Sequence, residues 1–325
     1  MTPRKLFLAL MSALAALLLY LSLRGIQWKV VSQTVTSISA GYAALAVALG
    51  LVPMLLRGYR WRILLQAEGP VSYGTTFWAI AAGYFGNNFL PARGGELVRS
   101  YIVQSRSNLT VSYVLATALS ERAADAVALV TFGVVAMGFL PQVQVWMKLV
   151  RVSFLLVGVA GLVGLTLVPR LEGVLTGMLQ RWPQLQSLLR QSLLGICSFH
   201  DGRRLLQFAL LTVAIWCIDA AATSLLAYSL AIAMPVRISM LLIVALSVAS
   251  AVPSTPGYVG VYQFVAVMVL QPFGITPSVA IAFMLVSQVI TYAVTTLLGT
   301  LAIVWFTPVR WQDFWRPGRP IQIQN

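Results

Sequence analysis

Residues 87–99, NNFLPARGGELVR, and residues 249–263, ASAVPSTPGYVGVYQ, each interrupt a hydrophobic segment with one shared pattern, Pro91 to Gly95 and Pro253 to Gly257. Lipid offers no hydrogen bonds, so backbone released from helix at membrane depth survives only when buried in protein or lining a wet cavity. Paired interruptions of this kind point to a binding site inside a membrane. The prolines Pro91, Pro253 and Pro256, with Gly260, read as the tips of two hairpins.

Composition sets the class. With 59% hydrophobic residues, 9% charged residues and a mean hydropathy of +0.86, the 325-residue chain has the makeup of an all-α polytopic membrane protein. A net charge of +14 would suggest nucleic acid in a soluble protein. Here the basic residues gather in short loops beside apolar runs, as membrane topology requires, and no nucleic-acid partner is expected. The two cysteines, Cys197 and Cys217, have no metal-like spacing and read as packing residues.

The opening run Leu6 to Leu23 is too long for a signal-peptide core and lacks a small-x-small cleavage site, so it reads as a first spanning helix. Further apolar runs cover Ala40 to Leu56, Tyr73 to Leu90, Val111 to Leu140, Val152 to Val168, Leu205 to Ala231, Ile238 to Leu270 (broken) and Ser278 to Phe306. Charge distribution makes two of these something other than simple passes. Arg57, Arg60 and Arg62 precede the Tyr73 segment, and Arg93, Arg99 and Arg106 follow its break, so both flanks carry the cytoplasmic signature. A hairpin entering and leaving from the cytoplasm satisfies both. The same rule places the basic stretch 170–204 inside, Arg237 outside and the tail with Arg310, Arg316 and Arg319 inside, so the Pro253 segment turns back from the opposite face.

The predicted architecture is about six spanning helices plus two oppositely oriented re-entrant hairpins in an inverted repeat, with both termini cytoplasmic. Residues 1–325 form one membrane domain: 1–39 a first helix and outside loop, 40–140 a first repeat, 141–204 a connecting helix and interfacial segment, 205–306 an inverted second repeat, and 307–325 a basic tail. Two Pro-kinked full spans are the alternative, since membrane helices tolerate proline and glycine. In the connecting stretch, Leu171, Val174, Leu175, Met178 and Leu179, then Leu185, Leu188 and Leu189 after Trp182 and Pro183, recur at helical spacing, and Arg170, Arg181 and Arg190 would face headgroups. Gly158, Gly161 and Gly164 suggest close helix packing in the fifth segment.

Function is sought among the acids. The chain holds eight, and Glu96, Glu121, Asp125 and Asp219 fall within apolar segments. A charged side chain at mid-bilayer costs roughly 2.5–3.5 kcal/mol on the gentlest scale, so these must face a polar interior, pair with arginine or be protonated. Glu121 and Asp125 share one helix face, about 15–20 Å along their helix. Arg93 precedes Gly94 and Gly95 at the start of the hairpin's second limb. A helix N-terminus with a guanidinium beside it makes a phosphate-sized anion site. Asn87 and Asn88 supply uncharged donors and acceptors, while Glu96 and Arg99, at i, i+3, either contact ligand or close the hairpin as an ion pair.

The stretches GYFGNNFLPARGGELVRSY (83–101), SERAADAVALV (120–130) and PSTPGYVGVYQ (253–263) together resemble the lysylphosphatidylglycerol synthase transmembrane family, also called flippase-like. The resemblance covers nearly the whole chain. It implies a lipid-translocating membrane domain without the aminoacyl-transferase domain of the bifunctional synthases, in a bacterial inner membrane. Its first signature falls on Asn88, Pro91, Arg93, Gly95, Glu96 and Arg99, its second on Glu121, Arg122 and Asp125, and its third on Pro253, Pro256, Gly257 and Gly260. Where many members carry an acid at the end of the third motif, this chain has Gln263, which puts any proton role at that position in doubt.

The expected function is a lipid translocase handling an anionic or phosphate-bearing headgroup, bound by the residues above with Asp219, Ser254, Gly257, Tyr258 and Gln263. The sequence implies no cofactor and no metal. An intramembrane transferase using Glu121 and Asp125 as acid and base is the alternative, as is a scaffold for an envelope enzyme. The only histidine, His200, lies in a basic loop, and no nucleotide loop or nucleophile elbow is present.

Overall fold

The structure, a computed structural model, describes residues 16–90, 94–138, 152, 156, 201–251 and 256–306. Among the described residues the secondary structure is helical. Helix α1 covers residues 16–23 and ends in a turn where Gly25 takes φ +78°. There follow α2 (Trp28–Thr36), α3 (Ala40–Leu65), α4 (Tyr73–Phe89), α5 (Gly95–Ser105), α6 (Val111–Gly138), α7 (Gly202–Ser229), α8 (Val236–Ala251), α9 (Val261–Leu270) and α10 (Pro277–Phe306). The Pro91, Arg93, Pro253 and Ser254 assignments lie outside the described residues, as do the run to Val168 (except residues 152 and 156), the interfacial segment, Cys197, His200 and the tail.

Local chemistry fixes the helix starts. The Ser72 hydroxyl accepts from the Thr75 N–H at 3.1 Å to begin α4, and the Asp201 carboxylate accepts from the Arg203 N–H at 3.0 Å to begin α7. Among the described residues three helices, α3, α7 and α10, are long and apolar enough to cross a membrane. Helix α6 has 28 residues and carries Glu121, Arg122 and Asp125 at its middle. Large apolar side chains such as Leu119, Leu206, Leu210, Val289 and Leu297 are exposed on the outer surface, where a soluble protein would place polar groups.

One expectation needs correction. The apolar run ending at Leu56 continues as helix to Leu65, so Arg57, Arg60 and Arg62 lie on α3 rather than in a loop. Arg60 is completely buried, which removes it from any count of cytoplasmic surface charge. The run is longer than hydropathy shows because Arg57 and Arg60 point inward.

Packing follows a regular pairing. Helix α3 lies along α7, α4 packs on both α5 and α10, and α8 packs on both α9 and α6. One apolar core joins α3, α4, α5 and α6 through Trp61, Leu65, Ile80, Ile102 and Val114. A second joins α7 to α10 through Leu226, Leu242, Ala266 and Phe283, and a third joins α6, α7 and α8 through Leu129, Trp216 and Leu241.

The α4–α5 contact depends on glycine. A side chain added at Gly95 would collide with the carbonyl oxygen of Gly83, and one at Gly86 would come within 2.7 Å of the Gly95 Cα. Gly86 opposes Gly95 and Gly83 opposes Arg99, so the two helices run antiparallel. Small residues let membrane helices approach this closely. Gly95→Ala is expected to destabilise the protein by about 1–3 kcal/mol, read as a lowered melting temperature in detergent. Gly41→Ala, where nothing lies within 4 Å, should leave it unchanged.

Candidate functional site

Four arginines and the four intramembrane acids meet where these helices converge. Arg60, from α3, directs Nη1 to Asp125 Oδ1 at 2.7 Å and Nη2 to Asp125 Oδ2 at 2.9 Å, a two-pronged contact with one carboxylate. Its Nη2 also reaches Glu121 Oε1 at 2.8 Å, and its Nη1 reaches Thr212 Oγ1 of α7 at 2.9 Å. Glu121 uses its other oxygen to accept from Arg99 Nη1 at 2.9 Å.

The chain of pairs closes on itself. Arg99 Nε lies 2.6 Å from Glu96 Oε2, Arg122 Nε lies 3.2 Å from Glu96 Oε1, and Arg122 Nη1 lies 3.7 Å from Asp125 Oδ2. Arg60, Glu121, Arg99, Glu96, Arg122 and Asp125 thus form a ring of alternating charge, in which each member has two oppositely charged neighbours. Glu96 and Arg99 form an ion pair within α5, one of the two roles open to them in the sequence. Glu121 and Asp125 are both engaged by Arg60, so neither stands free for acid–base work.

Aromatic rings cover the guanidinium faces. Arg60 stacks on Phe208 at 4.8 Å, and Arg99 stacks on Trp61 at 4.6 Å. Such stacking suits arginine, whose planar cation is weakly hydrated. Arg60 Nε and Arg99 Nη2 are buried and make no hydrogen bond among the described residues.

The eighth charge and its partner stand apart from the ring. Arg57 Nη2 donates to Asp219 Oδ2 at 2.7 Å, joining α3 to α7, and Arg57 stacks on Trp216 at 5.3 Å. This pair lines a cavity of about 430 Å³. Tyr84, Asn87, Asn88, Glu96, Arg122, Thr223 and Ser250 contribute polar groups to its lining. Val47, Leu51, Leu226, Ile290 and Val294 contribute apolar surface. Tyr258 lines it as well. A smaller cavity of about 250 Å³ adjoins it and shares Asp219, Thr223, Ser250, Tyr262, Ser287 and Thr291.

Residues 8–299 match the family described as the lysylphosphatidylglycerol synthase TM region. The chain belongs to that family. No curated protein and no solved structure matches it. Membership in the lysylphosphatidylglycerol synthase TM family, together with the apolar helices, makes it a multi-pass membrane protein of a lipid-related family.

Within this family member, the sequence-derived residues divide by position. Asn87, Asn88, Glu96, Arg122, Asp219 and Tyr258 line the larger cavity, whereas Arg99, Glu121 and Asp125 lie buried. The Gly95 N–H donates to Asn87 Oδ1 at 3.1 Å, and Asn88 Nδ2 donates to Thr295 Oγ1 of α10 at 2.8 Å, so both asparagines also tie helices together. Gly94 precedes α5, and its carbonyl accepts from the Leu97 and Val98 N–H groups. The glycines at 94 and 95 therefore begin α5, and Gly95 lets α4 approach rather than presenting bare backbone to the cavity.

Gln263 has a specific place. Its Oε1 accepts from the Gly260 N–H at 2.8 Å and its Nε2 donates to Gln288 Oε1 at 2.5 Å. Gln288 Nε2 in turn donates to the Gly257 carbonyl at 3.2 Å, which also accepts from the Tyr292 hydroxyl. Gly257 and Gly260 take φ of +73° and +90° at this corner, a region that favours glycine. An ionised carboxylate at 263 could not donate to Gln288, so the amide fits the network as it stands.

Arg57 and Arg60 are the site residues that the sequence reading missed. Four acids in apolar segments called for four cations, and beside Arg99 and Arg122 two arginines one helical turn apart before Ile63, Leu64 and Leu65 could have supplied the other two. Arg60→Ala should destabilise the protein by about 3–5 kcal/mol, because two buried carboxylates lose their shared partner. Arg60→Lys should restore little of this, since an ammonium cannot make the two-pronged contact. Thermal unfolding in detergent checks both, with Thr212→Val as a milder reference near 1 kcal/mol.

Proposed function

We propose that the protein is a lipid translocase that moves a lipid with an anionic or phosphate-bearing headgroup across the membrane by alternating access. The observation that carries this reading is the mixed lining of the 430 Å³ cavity, in which guanidinium groups and apolar side chains occur together. Arg57 and Arg122 line it and offer charge to a headgroup, while Val47, Leu51, Leu226, Ile290 and Val294 offer apolar surface to an acyl chain. The paired acids, Asp219 and Glu96, hold those cations in place when no anion is bound. Membership of a lipid-related family supports the same substrate class.

The inverted repeat belongs to this proposal. Helix α5 has 11 residues and α9 has 10, about 15–17 Å each, roughly half the thickness of a hydrocarbon core. Matching α3 to α7, α4 to α8, α5 to α9 and α6 to α10 carries the α4–α10 contact onto α8–α6 and the α4–α5 contact onto α8–α9. That correspondence supports two related halves, with residues 40–140 and 205–306 as the repeats. The cavity then lies between them, as in transporters built from inverted repeats. A bacterial inner membrane with both termini cytoplasmic is the setting this reading requires.

Reconstituted into liposomes, the protein should move a fluorescent phosphatidylglycerol between leaflets, measured by dithionite quenching. Arg57→Ala and Arg122→Ala should each slow it by roughly tenfold or more, the loss of one charge-assisted hydrogen bond of about 1.5–3 kcal/mol. Arg93→Ala should behave likewise. Wild-type rates in all three would count against the site.

The hairpins have their own test. Single cysteines placed at Tyr73 and Ser105 should react with an impermeant thiol reagent from one and the same side of the membrane. Reaction from opposite sides would mean a full span and remove the repeat.

A further inference from the structure

The arginines of the site are held unequally. Arg60, Arg99 and Arg122 each face two carboxylates of the ring, whereas Arg57 has Asp219 alone as its ion-pair partner among the described residues. Asp219 is also the acid that lines both cavities. It lies within α7, beyond the ring, and is partly exposed, with 22% of its side chain accessible.

We infer that Asp219 is a proton-binding site, reached through the smaller cavity, at which protonation frees Arg57 to take the anionic headgroup. This deepens the translocase reading and rests on it. A proton from water adds to the Asp219 carboxylate, forming an O–H bond and discharging its negative charge. Arg57 stays protonated and loses its counterion. Its stacking on Trp216 remains, so the guanidinium stays oriented toward the large cavity while its charge becomes available. The anion then replaces the carboxylate as partner.

The smaller cavity suits such a route. Its volume of about 250 Å³ has room for several waters, and Ser247, Ser250, Ser287, Thr223 and Thr291 line it with hydroxyls. Among the described residues Asp219 is the only carboxylate on its lining.

The surroundings leave the exchange to this pair. Arg60 on α3 and Asp125 on α6 act on Asp219 from farther away and are bound to each other. Glu96 and Arg122, which also line the large cavity, form their own pair. Among the described residues, the other titratable side chains facing the two cavities are the hydroxyls of Tyr84, Tyr258, Tyr262 and Tyr292, from α4, the turn before α9, α9 itself and α10. None of these is a carboxylate able to replace Asp219 as the acceptor.

Linkage is reciprocal: if an anion at Arg57 favours the protonated acid, protonation favours the anion by the same factor. Lowering the pH should therefore strengthen binding. The test is calorimetry of the purified protein in detergent with dihexanoyl-phosphatidylglycerol, repeated in buffers of different ionisation heat to count protons. Wild type should take up protons on binding, and affinity should rise as pH falls. Asp219→Asn should bind without proton uptake, with affinity independent of pH and raised by roughly 5-fold or more at the alkaline end. Lipid binding without proton uptake in wild type, undiminished uptake in Asp219→Asn, or a dependence on sodium in place of pH would overturn the inference.

Infrared titration of the protein without lipid separates this inference from the reading beneath it. A protonated-carboxyl band that appears on lowering the pH, and is missing from Asp219→Asn, supports the proton site even if the lipid does not bind. Its absence from wild type sinks the proton site whatever the lipid does.

Discussion

A charge cannot be left alone in a medium that offers it no water, and this constraint organises the centre of the molecule. Three arginines and three acids close into a ring in which every member has two partners, bringing α3, α5 and α6 to one place. The hydrogen bond from Arg60 to Thr212 extends the ring to α7. Breaking any one contact leaves each charge another, so the arrangement is rigid without depending on a single distance. Apolar packing alone would not fix these helices so specifically, because lipid tails compete equally for apolar side chains.

Much of the fold was legible because hydropathy reports directly on helices that face lipid. The runs Val111 to Leu140 and Ser278 to Phe306 correspond closely to α6 and α10, and the broken run resolves into α8 and α9. The end of α3 was not legible, because a hydropathy run stops at its first arginine whether that arginine meets water or a carboxylate. Asp219 lies 162 residues from Arg57, and Asp125 lies 65 residues from Arg60. Partners that distant leave no mark on local sequence. The count of intramembrane acids against available cations was the one signal, and it was read only as far as Arg93, Arg99 and Arg122.

The glycines carry a second lesson about what local pattern can say. Gly94 and Gly95 after a proline resemble a helix start opened for an anion, and the same residues equally serve close helix packing. Sequence cannot separate the two uses. The structure separates them for Gly95, whose N–H is taken by Asn87 and whose Cα faces Gly83 and Gly86. At the other break, Gly257 and Gly260 take positive φ beside Gln263, Gln288 and Tyr292, and a side chain added at Gly257 would come within 2.8 Å of the Tyr292 hydroxyl, so hydrogen bonds and close contact both set the corner.

A transporter of the proposed kind needs one part that holds and another that yields. The ring meets the first need, since opening it would expose several charges at once. Between α3 and α7 the described ion pairing is the single contact of Arg57 with Asp219, while Arg60 donates to the neutral hydroxyl of Thr212 and both arginines stack on rings of α7. Movement along the α3–α7 contact would therefore disturb one pair of charges, which an arriving anion and a proton can replace one for one. Under the proposed repeat, α3 and α7 are the helices that correspond to each other. Sliding at their shared face would move one half against the other, which is the motion that opens a central cavity to one side as it closes to the other.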